Sequence, residues 1–221
     1  MGAGASANFY EQMIHYCQNR YGAVQDTDYP RMIIDNYPLE GFDETGIVDE
    51  KLVKQQIQEA LQNLEQAGCD ILVIVCNTVH VFWEELQAAV NVPLVNVVTS
   101  VLDQVQSHGY KKVGLLCSET TNEVQLYQKN SPKSLEIIAP DKEQQDQLNQ
   151  VIEHVMGGVQ NDYDAKLCKN VIHDMKRAGA EAVILGCTEI PLAIHQLHTD
   201  MRIFDSISIA VGQVVDFARS S

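Results

Sequence analysis

The sequence predicts an α/β protein of two pseudo-symmetric half-domains, parallel sheets flanked by helices, with a site-bearing cleft between the halves. Three observations predict it. Apolar periodicity alternates between helix and strand along the chain, the strand-like runs are apolar at consecutive positions, and one stretch is repeated 111 residues further on, from Cys76 to Cys187.

Taken in order, Leu52, Val53, Ile57, Ala60, Leu61 and Leu64 fall on one helical face, and Gly68 stands where a C-terminal cap belongs. Residues 71–75, Ile-Leu-Val-Ile-Val, show no polar alternation, the pattern of a parallel strand covered on both faces, and Cys76 ends the run. The alternation then predicts a helix over 82–89, strand 93–98, helix 100–107, strand 112–117, helix 121–129 and strand 135–139. Helices over 142–156 and 165–177, strand 182–185, helix 192–197, strand 202–204 and helix 207–218 complete it. Segments 26–30 and 130–132 read as loops, too short for flexible interdomain linkers.

The repeat sets the domain organisation. Ala67-Gly68-Cys69-Asp70, five apolar residues and Cys76 are matched by Ala178-Gly179-Ala180-Glu181, five small or apolar residues and Cys187. Each copy ends a helix at Gly, places an acid before the strand, and delivers a Cys followed by polar residues, Asn77-Thr78 or Thr188-Glu189. The halves are thus expected at 1–98 and 99–206, with 207–221 a helix packing back on the N-terminal half. At an offset of 117, strand 113–117, its loop Ser118-Glu119-Thr120-Thr121 and Leu126-Tyr127 match Met1 to Ser6 and Phe9-Tyr10. That places Met1 to Ser6 in a loop. The expectation is that the first strand of the N-terminal half is missing from this 221-residue chain.

Lys plus Arg number 15 against 30 Asp plus Glu, a formal charge of −15, so phosphate backbones and anionic lipid are repelled and neither nucleic acid nor a membrane is an expected partner. No apolar run approaches the ~18 residues of a membrane span, and no basic segment precedes an apolar one as in a secretory signal. Met1-Gly2 with Ser6 formally fits a myristoylation pattern, but the repeat reads the same glycines as a loop. Six cysteines, none in a CxxC pair, are too sparse for a disulfide framework and point to a reducing cytoplasm.

Ligands of parallel sheets bind beyond the carboxyl ends of the strands, which is where Cys76 and Cys187 fall. The N–H groups of the turn after each are expected to lower the thiol pKa and favour the thiolate. A single Cys at a strand end reads as a small buried apolar residue; two at repeat-equivalent positions, each flanked by Thr, read as chemistry. Glu189 either orients Cys187 or caps the helix that follows, and, on the resemblance given below, could instead contact a substrate ammonium. Gly2-Ala3-Gly4-Ala5-Ser6-Ala7 matches a dinucleotide fingerprint only without its preceding strand. Cys76 with His80, and Cys187 with His195 and His198, have no standard zinc spacing; these histidines are expected to face solvent or pack on helices, and no metal is expected. Phe82 and Trp83 read as core or subunit contact.

Cys76-Asn77-Thr78 and Leu185-Gly186-Cys187-Thr188-Glu189-Ile190-Pro191-Leu192 resemble the two signature motifs of the aspartate/glutamate racemase superfamily, most closely its aspartate racemase branch. Met1-Gly2, Ala5-Ser6 and Phe9-Tyr10 are similar to that branch's glycine-rich first loop, and Val113-Gly114-Leu115-Leu116 with Ser118 and Thr121 to another of its segments. The resemblance spans nearly the whole chain and implies a cofactor-independent amino-acid racemase or epimerase, with Cys76 and Cys187 on opposite faces of the α-carbon. It further implies a small amino-acid substrate held by Asn77, Thr78, Ser118, Thr121, Thr188, Glu189, Gly2 and Ser6, no metal or pyridoxal, and a homodimer. No lysine stands in a motif suited to a Schiff base. Aspartate racemases carry an Arg in the loop after the second strand and a Lys late in a helix. Here the loop 35–42 has no Arg and the later position is Met156, so a neutral or larger side chain is expected on the substrate. The same superfamily contains hydantoin racemases, maleate isomerases and a one-Cys decarboxylase, the last disfavoured by two thiols. A non-catalytic amino-acid-binding protein is the reading from another class.

Overall fold

The structure is a computed structural model that describes residues 2–43, 46–194 and 199–220. Helix α1 (Ala3–Tyr21) starts directly at Gly2 and stops where Gly22 takes a φ of +66°. A 3-10 turn (Asp26–Asp28) leads through an extended segment to a small antiparallel hairpin, β1 (Phe42–Asp43) and β2 (Gly46–Ile47). Then follow α2 (Glu50–Gln66), β3 (Leu72–Val73), a 3-10 turn (Thr78–Phe82), α3 (Trp83–Gln87), β4 (Leu94–Val95) and α4 (Val97–Ser107). The second half holds β5 (Lys112–Cys117), α5 (Glu119–Glu123), α6 (Leu126–Asn130), β6 (Glu136–Ile138), α7 (Lys142–Met156) and α8 (Asp162–Arg177). It closes with β7 (Ala182–Gly186), α9 (Ile190–Ala193), β8 (Arg202–Asp205) and α10 (Ser206–Ser220).

Two parallel sheets form. One is four-stranded, in the order β6-β5-β7-β8; the other pairs β3 with β4. Strand β7 lies between β5 and β8, in register from Val113 opposite Ala182 to Cys117 opposite Gly186. Because side chains alternate across a strand, Ala182 and Ile184 enter a core built with α1, α4 and α10, while Val183 and Leu185 enter one built with α7 and α8. Both faces are thus covered, as the unbroken apolar run demands. The same logic divides the shorter strand: Leu72 and Ile74 face a core with α2 and α3, and Val73 and Val75 pack toward α1 and α10.

Several expected boundaries move. Residues 2–6 are not a loop: Gly2 is the N-cap and Gly4 to Ser6 lie in the first turns of α1, because nothing bars Ala-rich sequence from continuing the helix. The strand expected over 93–98 contracts to Leu94–Val95, since Asn96 Oδ1 accepts the Val98 and Thr99 N–H groups at 3.1 Å each and starts α4 there. The strand over 71–75 contracts to Leu72–Val73. The helix over 121–129 is two, α5 and α6, broken at Gln125, a non-glycine residue with positive φ (+54°). The expected helix over 192–197 begins and ends earlier, at Ile190–Ala193, with residues 195–198 outside those described. Capping boxes Asp141–Gln144 and Asn161–Asp164 start α7 and α8, the latter at Asp162.

Helix α10 packs against α1 and α4 and reaches β3. Tyr16 and Tyr21 of α1 both donate to Asp216, and Ser100 donates to Gln213 Oε1 at 2.7 Å. Among the described residues no helix is long and apolar enough to cross a membrane.

Candidate active site

The two repeat-related cysteines follow their strands by different routes. Strand β7 runs straight through Gly186 into Cys187, and a side chain at 186 would not fit: its Cβ would stand 2.8 Å from Leu115 Cδ1 and 2.9 Å from Tyr127 Cε2. Cys76 follows a tighter path, its N–H closing on Ile74 O at 2.9 Å just beyond β3. Cys187 is buried, 6% exposed, and Cys76 is partly buried. The Glu189 charge raises the pKa of both thiols, and Cys76 adds to the rise at Cys187.

Their surroundings differ in kind. The backbone N–H groups of Val79 and Thr78, at the start of the 3-10 turn, favour the Cys76 thiolate. The Glu189 N–H does the same for Cys187, whose S–H donates to Glu189 Oε2 at 3.2 Å. Thr188 Oγ1 donates to that same oxygen at 2.8 Å. The expectation that turn N–H groups would depress the thiol pKa values is overturned. Burial is the larger influence, and it pushes Cys76 up to about 11 and Cys187 well above its usual value, with the Glu189 charge adding to both.

Glu189 therefore does not cap α9; no side-chain capping bond is made there, and its carboxylate turns back to Cys187. Its other oxygen explains Gly2, where a Cβ would stand 2.8 Å from Glu189 Oε1. Thr78, Ser118 and Thr121 close a triangle of hydroxyls with edges of 3.0 to 3.1 Å, tying the Cys76 turn to the start of α5. Ser6 is placed elsewhere: its hydroxyl lies 3.3 Å from both Gly2 O and Asn36 Oδ1, joining α1 to the extended segment rather than to either cysteine.

Asn77 is fully engaged at its oxygen, which accepts from Tyr127 Oη at 2.7 Å, and its amide donates to Ser206 Oγ at 3.0 Å. Tyr127 and Ser206 were not singled out by sequence as site residues. The one signal was Tyr127's place in the helix after the Ser118 loop. A small cavity of about 10 Å³, room for about one water, is lined from both motifs by Cys76, Asn77 and Thr188, with Phe9, Ser206 and Ile207, and not by Cys187. His80 is buried rather than facing solvent. Its Nδ1 lies 2.8 Å from Cys76 O and its Nε2 3.4 Å from Val95 O, and burial lowers its pKa, which keeps it neutral. As a neutral ring with a single N–H it donates to one of these carbonyls, Cys76 O being the closer. His195 and His198 lie outside the described residues, among which no group of three His, Cys, Asp or Glu is arranged to hold a metal. Phe82 and Trp83 pack in the α2–α3 core.

The sequence model of the family described as Asp/Glu/Hydantoin racemase matches residues 1–214. The chain belongs to that family. It is accordingly an isomerase of the racemase kind. The chain is 30% identical over 207 residues to the broad specificity amino-acid racemase RacX of Bacillus subtilis (strain 168), covering 93% of this chain and 89% of that one. Among Asp/Glu/Hydantoin racemase structures, an aspartate racemase homologue from Pyrococcus horikoshii OT3 superposes with a TM-score of 0.81 at 28% identity, covering 97% of this chain and 94% of that chain. Aspartate racemase from Picrophilus torridus shares the fold, with a TM-score of 0.80 at 22% identity and coverage of 99% and 91%.

Proposed function

We propose that this chain is a cofactor-independent amino-acid racemase in which Cys76 and Cys187 are the acid and base on opposite faces of the substrate α-carbon. The supporting observation is that one carboxylate, Glu189, acts on both repeat-related thiols and hydrogen-bonds the second, in a family of racemases. One cysteine, as thiolate, takes the α-proton; the Cα–H electron pair moves into the substrate carboxylate; the other cysteine, as thiol, gives a proton to the opposite face. The roles exchange for the other enantiomer. Without an electron sink, the developing carbanion depends on preorganised donors, and the backbone N–H groups of the two turns, with the Thr78–Ser118–Thr121 hydroxyls, are the candidates.

The substrate in this reading lacks a side-chain carboxylate. Loop 35–42 contains no Arg, and Met156 at the end of α7 is 53% exposed. The 30%-identical relative is a racemase of broad specificity, which supports the same reading. A homodimer and a cytoplasmic location belong to the proposal, the former checked by sedimentation.

The test is incubation with L- and D-amino acids in D₂O, following loss of the α-proton by NMR. Exchange is expected for an amino acid with a neutral or larger side chain, faster than for aspartate. Retained binding with no exchange of any amino acid would replace this reading with that of a binding protein, and loss of activity to chelators would exclude a purely two-thiol reaction.

A further inference from the structure

The two halves repeat in sequence but not in how they treat their sulfur. Among the described residues the Cys76 sulfur has no carboxylate at hydrogen-bond distance, and the Thr78 and Val79 N–H groups favour its thiolate against the single Glu189 N–H that favours that of Cys187. The Cys187 S–H has a carboxylate acceptor, Glu189 Oε2 at 3.2 Å, held in place by the Thr188 hydroxyl at 2.8 Å. The absence of a side chain at Gly2 leaves room for the other carboxylate oxygen. An N–H donor stabilises a thiolate, whereas a carboxylate at hydrogen-bond distance stabilises the thiol that donates to it and repels the thiolate.

Deepening the racemase reading and resting on it, we propose that Glu189 is a positioning residue that assigns the resting proton to Cys187, leaving Cys76 as the sulfur that ionises. Turnover from this form breaks the substrate Cα–H bond, with the proton passing to Cys76, and forms a new Cα–H bond on the opposite face with the proton of Cys187. It ends with Cys76 as thiol and Cys187 as thiolate beside the Glu189 carboxylate. That product form is the disfavoured one, two negative charges in contact, and returns to the reactive form when solvent takes the Cys76 proton and supplies one to Cys187. The enzyme is therefore asymmetric between enantiomers in its reactive form although the overall equilibrium is not. Of the other titratable side chains around the pair among the described residues, Tyr127 and Cys117 have pKa values raised by burial and His80 has one lowered by it, so these three are neutral, and Asp205 acts at one remove, through Tyr127; the chain's N-terminal ammonium favours the Cys76 thiolate.

The proposal is tested without turnover, by alkylating the folded protein with iodoacetamide from pH 6 to 11 and following each cysteine-bearing peptide by mass spectrometry. In the wild-type protein Cys76 is expected to react with a midpoint at lower pH than Cys187, and at pH 8 about tenfold faster or more. In Glu189→Gln the Cys187 midpoint is expected to fall and its labelling to speed by about tenfold, with a smaller change at Cys76. A wild-type Cys187 that ionises before Cys76 overturns the proposal with no variant needed. So does a folded Glu189→Gln protein whose Cys187 profile is unmoved. In racemisation, the same variant is expected to bring the alkaline limb of the pH profile to lower pH, because the acid thiol is lost sooner; an unchanged limb counts against the assignment. Failure of every amino acid to racemise sinks the racemase reading alone, since the alkylation profiles stand apart from it.

Discussion

The strand that carries Cys187 is gripped on both edges, and the strand that precedes Cys76 is not. Strand β7 is flanked by β5 and β8 over five and four residue pairs, inside a four-stranded sheet with helices on both faces. Strand β3 pairs with β4 over two residues and, among the described residues, with nothing on its other edge. There, Val73 and Val75 lean on helical side chains of α1 and α10. Two copies of one motif thus rest on supports of unequal stiffness. What restores the Cys76 side is polar: the Tyr127–Asn77–Ser206 chain and the Thr78–Ser118–Thr121 triangle both run from the N-terminal motif to elements of the C-terminal half.

The sharpest way to break this comparison is at the sulfurs. Cys76→Ser and Cys187→Ser are each expected to lower racemisation by about 10²–10⁴-fold, the usual worth of a positioned acid or base, measured by polarimetry or chiral chromatography. A variant that keeps near-wild-type rate would show that the two copies are not chemical partners. Next come the supports. Ile184→Ala in β7 is expected to cost about 2–5 kcal/mol in urea unfolding, and Ile74→Ala, beyond the end of β3, to fall at the lower end of that range. The doubly paired strand cannot relax into the cavity; equal costs would remove the difference in stiffness.

A smaller effect comes from pH. Because burial raises the Cys76 pKa to about 11, the thiol form dominates at neutrality, and loss of a proton makes the reactive thiolate. Initial rates at low substrate are therefore expected to climb by about tenfold per unit, hence roughly a hundredfold from pH 7 to 9. A rate flat over that interval would mean that Cys76 is already ionised. The same raised value works against stability: it is full below the ordinary thiol range and is lost as pH rises through about 11. The smallest expected change is Tyr127→Phe, about 1–3 kcal/mol by thermal or urea unfolding, since it leaves the buried Asn77 oxygen without its donor. Racemisation should fall with it, because Asn77 adjoins Cys76; a stable but slow variant would mark the bond as positional.

Much of this was legible in residue order. Unbroken apolar runs located β5 and β7, and the repeat picked out both cysteines before any contact was known. What escaped has physical reasons. Asn77 finds Tyr127 fifty residues away and Ser206 farther still, and such pairing depends on packing that no local pattern encodes. Val97 and Val98 continue an apolar strand-like run, and the Asn96 cap that makes them helical is a signal the β-branched residues hide. The break at Gln125 has no glycine to announce it. Local donors near Cys76 and Cys187 could be foreseen, but their effect on ionisation could not, because burial outweighs them and burial is a property of the assembled chain.

Tyr127 sits at a crossroads: its hydroxyl serves Asn77 of one repeat and its ring fills the space left by Gly186 of the other. Anyone recombining segments from different homologues would therefore have to transplant positions 77, 127, 186 and 206 as a set. A chimera joined between the repeats inherits a mismatched hinge pin even when both donors are active on their own.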